Sequence, residues 1–587
     1  MGRLKIGTCV VASLCAGACT GNVGGSGASG PGGTGAAGAM GTGAGGATVV
    51  MVPPATAVVG CTSENFTAPL QMLNQFELRS SIKDLFGPVA TEVLIPTGAR
   101  GQYRGALLID ELPRRWQDTA WSLAGEIGKN VGVVTGCAAG NQTDACASSY
   151  LGKLAARAYR RPLAPGELDA LMALYANGKA DGFGAGIEMA VAGVLQNPSF
   201  LYRVEAGVPN SVKDHPELRR LTSSEVAQRL SYGLWGTLPD DALTTAAQSG
   251  GLDTPQGVRA QALRMLTDPR ALPMFADFVG QWLLTDHLGE NPKDTKAYPR
   301  FSPDVVPSLR GELNAFVGDL VQNGGDLTAL FTADYGFLNG KSATFYGVPG
   351  VAGDAFVKTT MPPAAQRAGL LTFAGLLAVE GVEQGVSLAK ANRTFPIGRA
   401  RFIRERLACE DLPPPIADAT NQPSVKPLID ALNVRYGGAA NVPPRAFFQE
   451  VTSQDAVCKA CHGYLEPLGF VLERFGGDGL IRTTDIDGMP AIQTGHYASL
   501  GKNAELVGDY ASPAALGAAL SKSAAVKDCL TQNLVQYTLA QVADAKPGCF
   551  APAPTSTTSA TDASHTRLQD IYLDLVASDP FRIRRFD

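Results

Sequence analysis

The chain has 587 residues, 45% of them hydrophobic and 18% charged, and its 49 Lys+Arg against 54 Asp+Glu leave a net charge of −5. This composition excludes a disordered chain, a collagen, a coiled coil and a basic nucleic-acid binder. At about 150 residues per domain the length suggests about four domains, and the 11 cysteines call for an explanation.

Arg3 and Lys5 precede an apolar or small run from Ile6 to Ala18. The run is too short to cross a bilayer and reads as a secretory signal peptide. Ala16-Gly17-Ala18-Cys19 resembles a bacterial lipoprotein box, with Ala16 where Leu is usual. Residues 1–19 are therefore expected to direct export to the cell envelope, periplasm or outer surface, with Cys19 as the lipidation site. The alternative is an ordinary secretory signal cleaved elsewhere. Residues 21–48 contain 13 Gly, so 20–60 reads as a flexible tether holding the folded part roughly 30 Å from its anchor.

Beyond the tether the patterning is mostly helical. Five segments are expected: an N-terminal helical domain over 61–135, further helical domains over 136–193 and 194–330, a domain over 331–475 bearing the C-x-x-C-H motif discussed below, and a C-terminal helical domain over 476–587. Pro165 opens a helix with Leu168, Leu171, Met172 and Tyr175 on one face. Ile187, Val191, Val194 and Leu195 repeat the pattern, and Asn197-Pro198 stops it. Thr222-Ser223-Ser224-Glu225 is a capping box ahead of Val226, Leu230 and Leu234. Asp240-Asp241, after Pro239, reads as a helix N-terminus. Phe275, Phe278, Val279 and Trp282 mark another helix, and Leu568, Ile571, Tyr572, Leu575 and Val576 make an apolar docking face. Ala355-Phe356-Val357 and 480–493 suggest short hairpins. The fold class is mainly α: several helical domains in series with few short strands.

Export changes the cysteine arithmetic. Cys9 and Cys15 leave with the signal, and Cys61, Cys137, Cys146, Cys409, Cys458, Cys461, Cys529 and Cys549 remain. An oxidising compartment favours disulfides, and sequence proximity suggests Cys137–Cys146 and Cys529–Cys549. Cys458-Lys459-Ala460-Cys461-His462 differs from these: it is C-x-x-C-H, the attachment signature of c-type haem. Two thiols about one helical turn apart can each add to a vinyl group, and the adjacent imidazole reaches the iron. The expected cofactor is one covalent haem c, with His462 as proximal ligand. Met489 and His496 are alternative distal candidates. A carbonyl near Pro467 is expected to accept the Nδ1 proton of His462, and Phe470 and Phe475 are either haem-covering or core aromatics. A disulfide, a thioredoxin-like pair or half a zinc site are the competing readings of the C-x-x-C.

The run from Cys458 to Phe475 resembles the "CxxCHxxxDPxGFxLExFD" segment of planctomycete-type cytochrome c-associated multidomain proteins. Glu466 stands in place of the usual Asp, and Gly476-Gly477 depart from the Asp after Phe. Leu70 to Gly87 is similar to the N-terminal domain of that family, with Arg79, Ile82, Leu85 and Phe86. Ala158 to Leu163 with Glu167 resembles its "FRRPLxxxE" block, Gln196 to Arg203 its "sPxFLYRxE" block, and Leu221 to Trp235 its "LTxxExAxRLSyfLW" helix. Arg367 to Leu371, Arg393, Pro396, Arg399 and Cys409 with Pro413, Pro414 and Pro415 resemble the cytochrome-bearing domain; Cys529 and Asp579 to Arg582 fit the last domain. The resemblance implies haem c in the cell envelope and supplies no reaction.

The sequence therefore points to an exported, lipid-anchored c-type haem protein for electron transfer or within an envelope oxidoreductase system, with a redox partner protein and no nucleic acid. The alternatives are a haem peroxidase- or oxidase-like enzyme with an open distal site, and a non-enzymatic surface protein in which the C-x-x-C is a disulfide. No metalloprotease motif, nucleophile elbow or complete P-loop is present. Gly340-Lys341-Ser342 reads as a loop, and Asp485-Ile486-Asp487-Gly488 as a turn.

Overall fold

The computed structural model describes residues 66, 70–90, 112–290, 293–380, 394–412, 423–539, 563 and 565–586. The expected signal peptide, the lipidation site Cys19, the tether, Cys61, Arg393, Pro413 to Pro415 and Cys549 lie outside the described residues. The protein is mainly α, with strands paired only two by two among the described residues.

The N-terminal part is built from α1 (Gln75–Phe86), α2 (Leu112–Lys129), α3 (Asp144–Ala158), α4 (Glu167–Gly178) and α5 (Phe183–Gln196). Helix α1 starts where Asn74 and Glu77 cap each other reciprocally, which satisfies two otherwise orphaned amides. Helix α4 begins at Glu167, two residues after Pro165, because Gly166 takes a left-handed φ of 83° as the cap. Leu123, Leu151, Tyr175, Ile187, Val191, Leu195 and Phe200 close a single apolar core over these helices. Trp116 is buried in it and donates its indole N–H to the Leu195 carbonyl at 2.8 Å. Helices α2 and α5 touch backbone to backbone: a β-carbon on Gly184 would lie 2.7 Å from the Gly128 carbonyl oxygen.

Two arginines explain the next block. Arg160 is buried and donates to the carbonyls of Ser199, Phe200 and Tyr202 at 2.5, 3.0 and 2.8 Å. Arg161 grips Glu167 through both guanidinium nitrogens, at 2.8 and 2.7 Å, the bidentate geometry that makes such pairs strong. Asn197 ends α5 and also caps the short helix Pro198–Leu201.

A second, larger core joins α6 (Ser223–Leu234), α7 (Pro255–Leu266), α8 (Leu272–Trp282), α9 (Val306–Gln322), α10 (Pro513–Lys522), α11 (Ala524–Leu539) and α12 (Leu568–Ala577). Thr222 and Glu225 form the capping box of α6, and Asp240 caps the helix Asp241–Gln248 while also pairing with Arg264 at 2.9 Å. The chain end is stitched back to the middle: Leu218–Arg220 pairs antiparallel with Ile583–Arg585. Beside it Arg229 donates to Glu205 at 2.6 Å and to the carbonyls of Pro580 and Phe581 at 3.0 and 2.7 Å. Burial pushes the Glu205 carboxyl up, but the Arg229 guanidinium outweighs it and holds the group below the usual range.

Three expectations need correction. Val357–Thr360 does not form a local hairpin; it pairs with Tyr335–Leu338 across an intervening helix. Residues 480–493 carry isolated bridges, such as Thr484 with Pro490, and no hairpin strands. Gly340-Lys341-Ser342 opens the helix Gly340–Tyr346, because Asn339 and Ser342 make a capping box.

The disulfides are Cys137–Cys146 and Cys409–Cys529. The second replaces the expected Cys529–Cys549 pairing. Cys529 lies on the buried side of α11, where that helix meets the turn ending at Cys409, with Cα atoms 5.3 Å apart across 120 residues of sequence. Packing between distant elements, rather than proximity along the chain, chose the partner.

Candidate haem-attachment site

The motif lies on the helix α13 (Ala456–Gly469). Asp455 starts it by accepting the Cys458 amide at 3.1 Å, the N-capping bond expected of an acid at that position. Helical spacing sets Cys458 and Cys461 one turn apart on neighbouring positions, and His462 one residue further round. Among the described cysteines these two are the free thiols, the others being bridged. Cys458 is buried among Val425, Leu432, Val442 and Val451, and half-buried Cys461 packs at the edge of the large core. Burial pushes both thiols up from their ordinary range, with Asp455 adding to the shift at Cys458 and Glu466 at both. A thioredoxin-like pair needs the opposite shift.

His462 is held from one side. Its Nδ1 lies 3.0 Å from Oε1 of Glu466, one turn along the same helix. Glu466 is 3% exposed, and its Oε2 accepts the Thr452 hydroxyl at 2.7 Å. The expectation that a carbonyl near Pro467 takes this proton is therefore corrected. The Pro467 carbonyl is covered by the strand Gly495–Tyr497, so closely that a β-carbon on Gly495 would fall 2.2 Å from it.

Phe475 is a core residue, and Phe470 meets Phe448 edge to face at 5.5 Å. Met489 is 53% exposed beside the turn at Asp485–Gly488. His496 is exposed, with Nδ1 2.7 Å from Asp509. Among the described residues neither makes a hydrogen bond or ion pair with His462.

Two buried arginines seat α13. Arg399, 1% exposed, donates to the carbonyls of Leu472, Phe475 and Gly476 at 2.8, 2.8 and 2.7 Å and pairs with Glu473 at 3.2 Å. These carbonyls follow the helix end, where backbone acceptors lose their helical partners. Arg404 pairs with Glu410 inside the protein, donates to the Tyr464 and Ala498 carbonyls at 3.2 and 2.7 Å, and lies 4.1 Å over the Tyr497 ring. The motif named Glu466 without its role against His462, and Thr452 and Arg404 did not emerge from it. A Glu four residues after the histidine was the available signal for the first; the other two approach from elements remote in sequence.

The donor set fits a covalently held haem. Two free thiols one turn apart would take the vinyl groups, and His462, with Nδ1 engaged, offers Nε2 to an iron. Among the described residues no three His, Cys, Asp or Glu side chains converge to hold an ion unaided.

Three segments match models of protein families. Residues 146–205 match PSD5, 221–348 match PSD4 and 367–485 match PSCyt3, described respectively as proteins of unknown function DUF1595, DUF1592 and DUF1588. The third match contains α13 and both seating arginines. No curated protein and no solved structure matches the chain. With these matches in the order expected from the sequence, the chain carries three of the planctomycete cytochrome c-associated domains of unknown function.

Proposed function

We propose that this is an exported c-type haem protein of the cell envelope, anchored through lipid on Cys19, that passes electrons to a partner protein. The observation that carries the reading is the geometry at α13: a free thiol pair at i and i+3, followed by an imidazole whose Nδ1 is already committed to a buried carboxylate. When bound, haem supplies one-electron chemistry at its iron. The chain's own residues do the rest. Cys458 and Cys461 tether the group, and His462 presents Nε2. The apolar cluster around Cys458 keeps water away, and Arg399 and Arg404 fix the helix that carries the two attaching thiols and the ligating imidazole.

Expression of the full chain in a host with cytochrome c maturation tests this. A haem stain that survives a denaturing gel, with a thioether-type pyridine haemochrome spectrum, is expected, and Cys458→Ser with Cys461→Ser should abolish both. A colourless exported protein whose two thiols react with alkylating reagent would end the reading. In the same host, Cys19→Ser should move the protein from the membrane to the soluble envelope fraction.

A further inference from the structure

The acceptor on His462 Nδ1 is a charged side chain rather than a backbone carbonyl. When a histidine gives one ring nitrogen to a metal, the bond made by its other nitrogen sets ring orientation and ligand basicity. A carboxylate acceptor makes that bond charge-assisted and roughly twice as strong as a neutral one, and a low-dielectric setting strengthens it further.

Glu466 has both properties. It is 3% exposed, its Oε1 lies 3.0 Å from His462 Nδ1, and its Oε2 is 2.7 Å from Thr452 Oγ1. Thr452 is itself buried at the end of the turn Phe448–Thr452. With one oxygen pinned by a neighbouring element and the other on the ring, the carboxylate cannot turn away without leaving a buried polar atom unpaired, which is costly.

Resting on the haem reading above, we propose that Glu466 is a positioning residue: it fixes the His462 ring with Nε2 outward, makes it an electron-rich ligand, and so favours the oxidised metal and lowers the reduction potential. Thr452 acts through Glu466 by holding the carboxylate in place.

The test uses the full-length, haem-loaded protein. Glu466→Gln keeps size and an acceptor oxygen but removes the charge. Haem content by pyridine haemochrome should match wild type, while the midpoint potential rises by at least a tenfold change in the reduction equilibrium, about 59 mV for one electron. The iron–histidine stretch in the resonance Raman spectrum of the ferrous protein should fall in frequency in any five-coordinate fraction. Thr452→Val leaves the charge but frees one oxygen; a smaller rise in potential is expected. A Glu466→Gln protein with full haem and an unshifted potential overturns the proposal and leaves the haem reading standing. If that variant takes up no haem, Thr452→Val decides: a raised potential supports the proposal and an unchanged one overturns it. A wild-type protein without covalent haem removes both.

Discussion

Gly469 lies directly against the carbonyl of Pro396: a β-carbon at Gly469 would fall 2.0 Å from that oxygen. The last residue of the motif-bearing helix thus meets the first residue of the helix Pro396–Arg401 backbone to backbone. Gly469→Ala should therefore push the two helices apart. Overpacking of this kind costs about 1–3 kcal/mol, and the value here should be at the upper end, since the obstructing atom is backbone and cannot rotate away. A lowered urea midpoint checks it; an unchanged one means the helices part without cost.

Arg404 and Glu410 form an ion pair that is essentially solvent-free. Arg404→Met should cost about 3–5 kcal/mol, because the carboxylate is left buried and uncompensated. Adding Glu410→Leu should return much of that loss, since the expense lies in the orphaned charge. Urea unfolding of the two single variants and the double variant measures the coupling. Equal effects from Arg404→Met with and without the second change would show that the pair itself is unimportant.

Lys293 offers a pH test. Burial beside Tyr298 and Phe301 pulls its ammonium down to about 8, against the opposing attraction of Asp478. Below pH 8 the group is protonated in both folded and unfolded chains, and the full expense of burying the charge falls on the folded state. Between pH 8 and the unfolded value of about 10.4, the unfolded chain holds a proton that the folded one has released, so stability rises with pH. Lys293→Met should be more stabilising at pH 7.5 than at pH 10. A gap between variant and wild type that stays constant across this window contradicts the assignment.

The Cys409–Cys529 bridge closes 120 residues. By loop-closure entropy its removal should cost about 5 kcal/mol. The Cys409→Ser, Cys529→Ser double variant should lose about that much by urea unfolding, whereas the short Cys137–Cys146 loop, 9 residues apart, should matter less. Equal losses from the two pairs would show that loop length does not govern either.

What was legible in the sequence is what is local. Thr222 and Glu225 lie three residues apart, so their mutual cap can be read before any fold is known; the buried faces of α5, α8 and α12 follow from helical spacing alone. The thiols and imidazole of the motif belong to the same class. Asn339 and Ser342 show a weaker local signal: the cap was there to be read, but as an incomplete P-loop the segment reads only as a loop. Arg160 was visible only as part of a block, since its three carbonyl partners are some 40 residues away. The same applies to Arg404, which reaches Tyr464 and Ala498, and to the partner of Cys529. Spacing carries no information about contacts made by packing separate elements.

One consequence concerns covalent connectivity. Residues 409 and 529 are joined, so everything between them, including Cys458, Cys461 and His462, belongs to a closed macrocycle of main chain. A protease that cuts once inside that macrocycle linearises it without detaching a fragment, and any prosthetic group carried on the motif stays with the full-size species on a non-reducing gel. Only reductant, or a second cut, sets the peptide that carries the motif adrift.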